Sequence, residues 1–270
     1  MLTRASSKAS FPSSVKAIPV DYGSLDSLTA ALKGQDAVVS TVGTEGFQGQ
    51  PLIIDAAIAA GVKRFIPSEF GSDTDNPKTA ALPVFDYKIA TRKHLEAKIA
   101  AGADITYTYV INGPFLDWGI DVGFLLNWRD EKIKLFDGGE RYFSSTTLAN
   151  AGQAVVGVLS HEEETRNKSV FVQDITVSQK KLLEIAKKAD PQKKWETVDV
   201  SLADVEKDSN EKLARGEVTM EVMYSYIFLA ICGEGYGALM EKTDNELLGV
   251  EEKTDADVEA IWKKALAGGK

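Results

Sequence analysis

Apolar residues recur along the chain in two rhythms. Val15–Tyr22 (Val-Lys-Ala-Ile-Pro-Val-Asp-Tyr) predicts a strand, and its proline marks an edge position or the strand's end. Ser24 stands as an N-cap, Leu25, Leu28 and Leu32 follow at helical spacing, and Gly34 closes the helix. Ala37–Val42 is a short apolar run after Asp36, as expected of a strand buried in a parallel sheet. A glycine loop leads to the alanine-rich helix Pro51–Ala60, ended by Gly61. Lys63–Pro67 predicts the next strand. The polar loop Ser68–Lys78 then leads to a helix over Val84–Ala101, and Ile105–Ile111 is a further strand. This alternation argues for a parallel sheet with helices on both faces.

After Asn112 the rhythm loosens. Phe115–Trp128 is aromatic-rich and predicts a helix. Lys132–Phe136 and Arg141–Ser144 predict short strands around an Asp137-Gly138-Gly139 turn. Leu148, Ala151, Val155 and Val158 mark a helix of the main domain, and Val170–Val172 a strand. Ser178, Ser201 and Thr254 each start a helix, and Asp204 and Asp257 complete capping boxes with the last two. The final helix places Val258, Ile261, Trp262, Ala265 and Leu266 on one face. The C-terminal third reads as a mostly helical cap. The expected domains are a nucleotide-binding domain over 1–160 and a smaller lobe over 161–270, partly interleaved with 113–145.

The chain has 270 residues, 44% hydrophobic and 26% charged, enough for one large domain plus a modest lobe. Its longest nearly apolar run, Val222–Cys232, is about half what a bilayer-spanning helix needs, so no membrane association is expected. The single cysteine, Cys232, permits no internal disulfide and points to a cytoplasmic home. The net charge of −9 argues against a nucleic-acid partner. His94 and His161 have no second histidine at ligand spacing, so no metal site is expected. Residues 1–20 carry Arg4, Lys8 and Lys16, five serines and no acid. That composition fits either a transit peptide or a chain that opens inside a fold.

Between the strand ending at Val42 and the next helix lies Gly43-Thr-Glu-Gly46-Phe-Gln-Gly49. Strand, G-x-x-G-x-x-G and helix together suggest a phosphate cradle. Position argues against it. The pyrophosphate loop of a dinucleotide fold follows its first strand, whereas a complete strand–helix pair lies upstream here.

Three segments carry a resemblance. The first is Asp21-Tyr-Gly-Ser-Leu-Asp-Ser-Leu-Thr-Ala-Ala-Leu-Lys-Gly-Gln-Asp36-Ala-Val-Val-Ser40. The second is Leu52-Ile-Ile-Asp-Ala-Ala-Ile-Ala-Ala-Gly61-Val-Lys-Arg-Phe-Ile-Pro67-Ser68-Glu69-Phe70-Gly71. The third is Phe85-Asp-Tyr-Lys88, a helix, and Thr106-Tyr-Thr-Tyr-Val-Ile-Asn112-Gly113-Pro-Phe115. They resemble the isoflavone-reductase-like, or NmrA-like, branch of the atypical short-chain dehydrogenases, which includes phenylcoumaran benzylic ether reductases. The likeness spans the chain and is strongest over 15–125.

The resemblance implies an α/β, Rossmann-type doubly wound parallel sheet with a smaller, mostly helical C-terminal substrate lobe, and NADPH as cofactor. The family opens with a strand, a glycine loop, a helix and a second strand ending in arginine. Arg4 matches that arginine, which grips the 2′-phosphate. The opening βα unit, about 30 residues, has no counterpart here. The expectation is a sheet lacking its first βα unit, a truncated chain that folds marginally and binds NADPH poorly.

Short-chain dehydrogenases generally pair Tyr and Lys four residues apart, the lysine lowering the tyrosine's pKa. No tyrosine here has that spacing, since Val84 stands four before Lys88. The isoflavone-reductase-like branch uses the lysine alone, and Lys88 matches it. Arg92, one turn on, would ease its deprotonation, and the alternative is an exposed helix lysine. Thr41, Val42, Gly43, Ser68, Glu69, Asn112, Gly113, Pro114 and Phe115 lie at strand ends, where ligands of open α/β sheets sit, and are the expected cofactor contacts; the alternative for each is a loop-forming role. Phe115, Trp118, Phe124 and Trp128 line a substrate pocket or simply pack a core. The expected activity is NADPH-dependent reduction of a small aromatic or enone-like molecule. The alternatives are a non-catalytic NADP-sensing regulator and an inactive fragment.

Overall fold

The computed structural model describes residues 1–268. Ten strands and eleven helices follow along it. They begin with β1 (Leu2–Arg4), β2 (Ile18–Val20), α1 (Leu25–Leu32), β3 (Ala37–Val39), α2 (Gln50–Ala60) and β4 (Arg64–Ile66). Next come α3 (Pro77–Ala80), α4 (Asp86–Ala100), β5 (Thr106–Ile111), α5 (Leu116–Asp121), β6 (Ile133–Phe136), β7 (Phe143–Ser145) and α6 (Leu148–Ser160). The rest are β8 (Lys168–Phe171), β9 (Ile175–Val177), α7 (Gln179–Ala189), β10 (Thr197–Val200), α8 (Leu202–Ala214), α9 (Met220–Cys232), α10 (Asn245–Leu248) and α11 (Asp255–Gly268).

Two compact units result. The first comprises Met1–Glu69, Tyr87–Tyr109 and Arg166–Lys168, and the second takes the remainder. The division differs from a boundary at residue 160. It leaves α6 in the second unit, and the chain passes between the units inside β5 and β8.

In the first unit, β1 pairs in parallel with β2, and β3 with β4, which in turn pairs in parallel with β5. The wider sheet has the order β3-β4-β5-β8, while β1 and β2 form a separate two-stranded sheet. Parallel neighbours need crossover connections, and α2 supplies the one between β3 and β4 and α4 the one between β4 and β5. Ser24 caps α1 by accepting from the Ser27 N–H, and Gly61 ends α2 in the left-handed region at φ 84°. Leu28, Ile54, Phe65 and Leu95 are fully buried and form this unit's core. Burying a side chain such as Phe65 contributes about 2–3 kcal/mol.

The second unit departs further from the sequence expectation. Phe115–Trp128 is helical only over Leu116–Asp121. Gly119 accepts two amides, from Phe124 and Leu125, and the chain turns there at Gly123, φ 75°. The strands around Asp137-Gly138-Gly139 do not form a hairpin. β6 pairs in parallel with β10, and β7 pairs antiparallel with β9. The 3-10 turn Asp137–Gly139 separates them instead of reversing the chain onto itself. Trp262 of α11 is fully buried, with Trp128 and Trp195 edge-on at 6.1 Å each. Thr254 and Asp257 form a reciprocal capping box at α11, each accepting the other's N–H.

Candidate active site

Lys88 is the third residue of α4. Lys88, Thr91, Arg92 and Leu95, at helical spacing, form its buried face. Tyr87 lies on another face and is 46% exposed, whereas Lys88 is only 7% exposed. Lys88 is therefore not a solvated helix lysine. Its ammonium donates to the main-chain carbonyl of Glu69. Burial lowers its pKa from the ordinary 10.5. The Glu69 carboxylate opposes that shift and the Arg92 guanidinium adds to it.

The turn after β4 supplies the acceptor. Ser68 donates its N–H to Gln50 Oε1 at 2.9 Å and its hydroxyl to the Val42 carbonyl at 2.8 Å. Glu69, 1% exposed, holds Arg92 Nη2 at 2.8 Å through Oε2. The Arg92 guanidinium lies 4.0 Å from the centre of the Tyr109 ring.

The glycine loop is not an open cradle. Thr44–Gly49 is a 3-10 turn. Its Phe47 ring centre lies 5.6 Å from Lys88 Nζ, and Gln48 donates to the Tyr87 hydroxyl. The Phe47 ring of this segment thus covers the lysine.

Val42, Ser68, Glu69 and Lys88 therefore come together in the first unit, with Thr41 and Gly43 exposed beside Val42. Arg4 is elsewhere in that unit. It lines an open depression of about 550 Å³ with Ser6, Asp21 and Tyr22, beyond the ends of β1 and β2. Burial raises the Tyr22 phenol's pKa, and the Arg4 charge works against it.

Asn112, Gly113, Pro114 and Phe115 belong to the second unit. Thr146 donates to the Asn112 carbonyl at 2.7 Å, and Ser145 to that of Pro114 at 2.8 Å. Asn112 is fully buried, and its Oδ1 has no hydrogen-bond partner among the described residues. Gly113 has φ +61°, and a Cβ there would stand 2.2 Å from the Ser144 carbonyl oxygen, so only glycine fits. An aromatic group lies in the same unit. Phe124 stacks on Phe228 at 5.0 Å and meets Trp118 and Tyr224, both partly exposed, at 5.8 and 5.7 Å.

Sequence reading missed Gln50, Phe47 and the Tyr22 wall. Gln50 opens a helix, where a polar residue is unremarkable. Its sole sequence signal is an amide directly after a glycine turn.

The NmrA-like family model matches residues 3–118. The oxidoreductase poxI of Penicillium oxalicum is 33% identical across 96% of this chain and 84% of its own length. The chain belongs to the NmrA-like family. Solved structures share the fold of this NmrA-like chain. AtPrR2 with NADP+ and (+)-pinoresinol aligns with a TM-score of 0.70 at 24% identity, covering 92% of this chain and 81% of its own. An isoflavone reductase aligns with a TM-score of 0.72 at 22% identity, covering 96% and 89%. Among the described residues, no helix of the NmrA-like chain is long and apolar enough to cross a membrane. His94 lies 2.8 Å from Asp55, which also holds Lys98.

Proposed function

We propose that this NmrA-like chain is an NADPH-dependent reductase of a small aromatic or enone-like molecule, with Lys88 supplying the proton that accompanies hydride transfer. The burial of Lys88 carries the reading. Taking an ammonium out of water costs several kcal/mol. A chain that needed only helix propensity at this position would have no use for that cost. A regulator that merely senses NADP would not need it either. An ammonium held at one atom, with its pKa lowered, can protonate an oxygen as negative charge develops on it.

The residues around the depression at Arg4 fit the 2′-phosphorylated adenosine end of NADPH. A guanidinium suits the phosphate, and the Tyr22 ring offers an apolar wall. NADPH, when bound, supplies the hydride. The Phe47 side chain limits water around the Lys88 ammonium. Trp118, Phe124, Tyr224 and Phe228 support an aromatic substrate, since ring faces and edges are available for stacking. The assignment of Ser68, Glu69, Asn112, Gly113, Pro114 and Phe115 as cofactor contacts is part of the same proposal.

The test is NADPH oxidation against a panel of enones and quinones. Lys88→Ala is expected to lower kcat by about 10²–10⁴-fold, the usual weight of a general acid. Its circular dichroism spectrum should be unchanged. Turnover unaffected by the substitution overturns the role.

A further inference from the structure

We propose that Arg92 and Glu69 are positioning residues for Lys88: the Glu69 carbonyl receives the Lys88 ammonium, while the Glu69 carboxylate, held by Arg92, balances the charge of the ammonium beside it. This rests on the reading of Lys88 as proton donor.

Lys88 and Arg92 are four residues apart on α4, so both cations emerge from one face. Both are 7% exposed. Two buried like charges repel strongly where water is excluded. Glu69 meets both through different groups. Its carboxylate takes Arg92 Nη2 at 2.8 Å, and its main-chain oxygen takes Lys88 Nζ. A single residue thus carries the neutralising charge and the anchoring acceptor.

The rest of the assembly holds that residue still. Ser68, the preceding residue, is tied to Gln50 and to the Val42 carbonyl. The Glu69 N–H donates to the Pro67 carbonyl at 2.7 Å, which closes the turn tightly. On the far side Arg92 lies over Tyr109, whose hydroxyl donates to Glu96 at 3.0 Å. The groups facing Lys88 include Arg92 from its own helix, Glu69 from the turn and the Phe47 ring from the 3-10 segment. Tyr87 and Gln48 bond to each other beside them.

Removing the carboxylate does two opposite things, and they can be separated. Loss of charge leaves two buried cations together and drives Lys88 towards its neutral form. Loosening of the turn admits water and returns Lys88 towards the ordinary lysine value. A residue that only supports the turn gives the second result. A residue that also balances the ammonium gives the first.

The experiment is a pH titration of the full chain labelled with ¹⁵N-lysine, followed by NMR. The Lys88 Nζ resonance is assigned by its absence in Lys88→Arg. In Glu69→Gln the Lys88 titration is expected to move down by about one unit or more. No movement, or movement up towards the ordinary value, overturns the proposal. A second measurement covers poor folding of that variant. Arg92→Lys retains a cation for the Glu69 carboxylate, and Arg92→Met does not. For NADPH-dependent quinone reduction, Arg92→Met should lose about tenfold or more in kcat with KM little changed, and Arg92→Lys should recover most of it. Equal losses in the two variants overturn the proposal. The titration needs no turnover. A shift with no reductase activity toward any quinone or enone would therefore sink the functional reading and leave the positioning of Lys88 intact.

Discussion

Arg92 and Glu69 form a buried ion pair at 2.8 Å directly beside the Lys88 ammonium. The guanidinium comes from a helix and the carboxylate from the turn after a strand. The pair joins two elements that the chain separates by more than a dozen residues. Three ionisable groups then share one water-poor volume.

The burial of Lys88 fixes a stability trend with pH. The folded pKa of Lys88 lies below 10.5, mainly through burial. Between those two values the unfolded chain binds the proton that the folded chain has released. Stability therefore rises with pH across that window, and the gain is lost again as pH falls through the folded pKa. Lys88→Met removes the buried charge. It should gain stability over the unsubstituted chain near neutral pH, with the advantage shrinking as pH approaches 10.5. Urea midpoints at a series of pH values measure it. An advantage that does not vary with pH contradicts a depressed Lys88.

Arg4 makes a separable prediction about the cofactor. If its guanidinium faces the 2′-phosphate, Arg4→Met weakens NADP+ binding by roughly tenfold to a hundredfold, the worth of a charge-assisted hydrogen bond. NAD+ binding, which involves no 2′-phosphate, should stay the same. Calorimetric titration with both nucleotides decides it. Equal losses for the two would place Arg4 elsewhere in the site.

Gly113 is expected to be intolerant. A methyl group there meets the Ser144 carbonyl at 2.2 Å, on a backbone at φ +61°. Strain and overpacking together should cost at least about 2 kcal/mol in Gly113→Ala. Denaturant unfolding reports this directly, and a variant as stable as its parent would mean that the β7 backbone yields.

Cys232 is expected to be inert in the native chain. It is buried at the end of α9, and burial pushes its thiol up to about 12. Almost no thiolate is then present near neutral pH. A disulfide reagent should label it slowly in buffer and fast in denaturant. Rapid native labelling would show that α9 opens readily.

Local signals made much of the first unit legible. Ser24 and Gly61 set helix ends where the sequence puts them, because a cap depends on its own neighbours. The short apolar run at Ala37 and the strand at Arg64 pair in parallel as expected. The second unit was less legible. The Asp137-Gly138-Gly139 turn suggests a hairpin, yet β6 pairs with β10, over sixty residues away. Strand partners are chosen by packing faces far apart in sequence, which a turn motif does not record.

The sequence by itself determined the family resemblance, the alternating strands and helices of the first unit, and the identity of Lys88 as the residue of interest. The strands and helices follow from residue type and spacing, and Lys88 from the resemblance to the isoflavone-reductase-like branch. Only the tertiary structure decided that Lys88 is buried, that Glu69 offers it a carbonyl while holding Arg92, and that the glycine loop covers it with Phe47. Burial and electrostatic coupling depend on which distant segments exclude water from a group. A lysine on a helix reads the same in sequence whether water surrounds it or a turn encloses it.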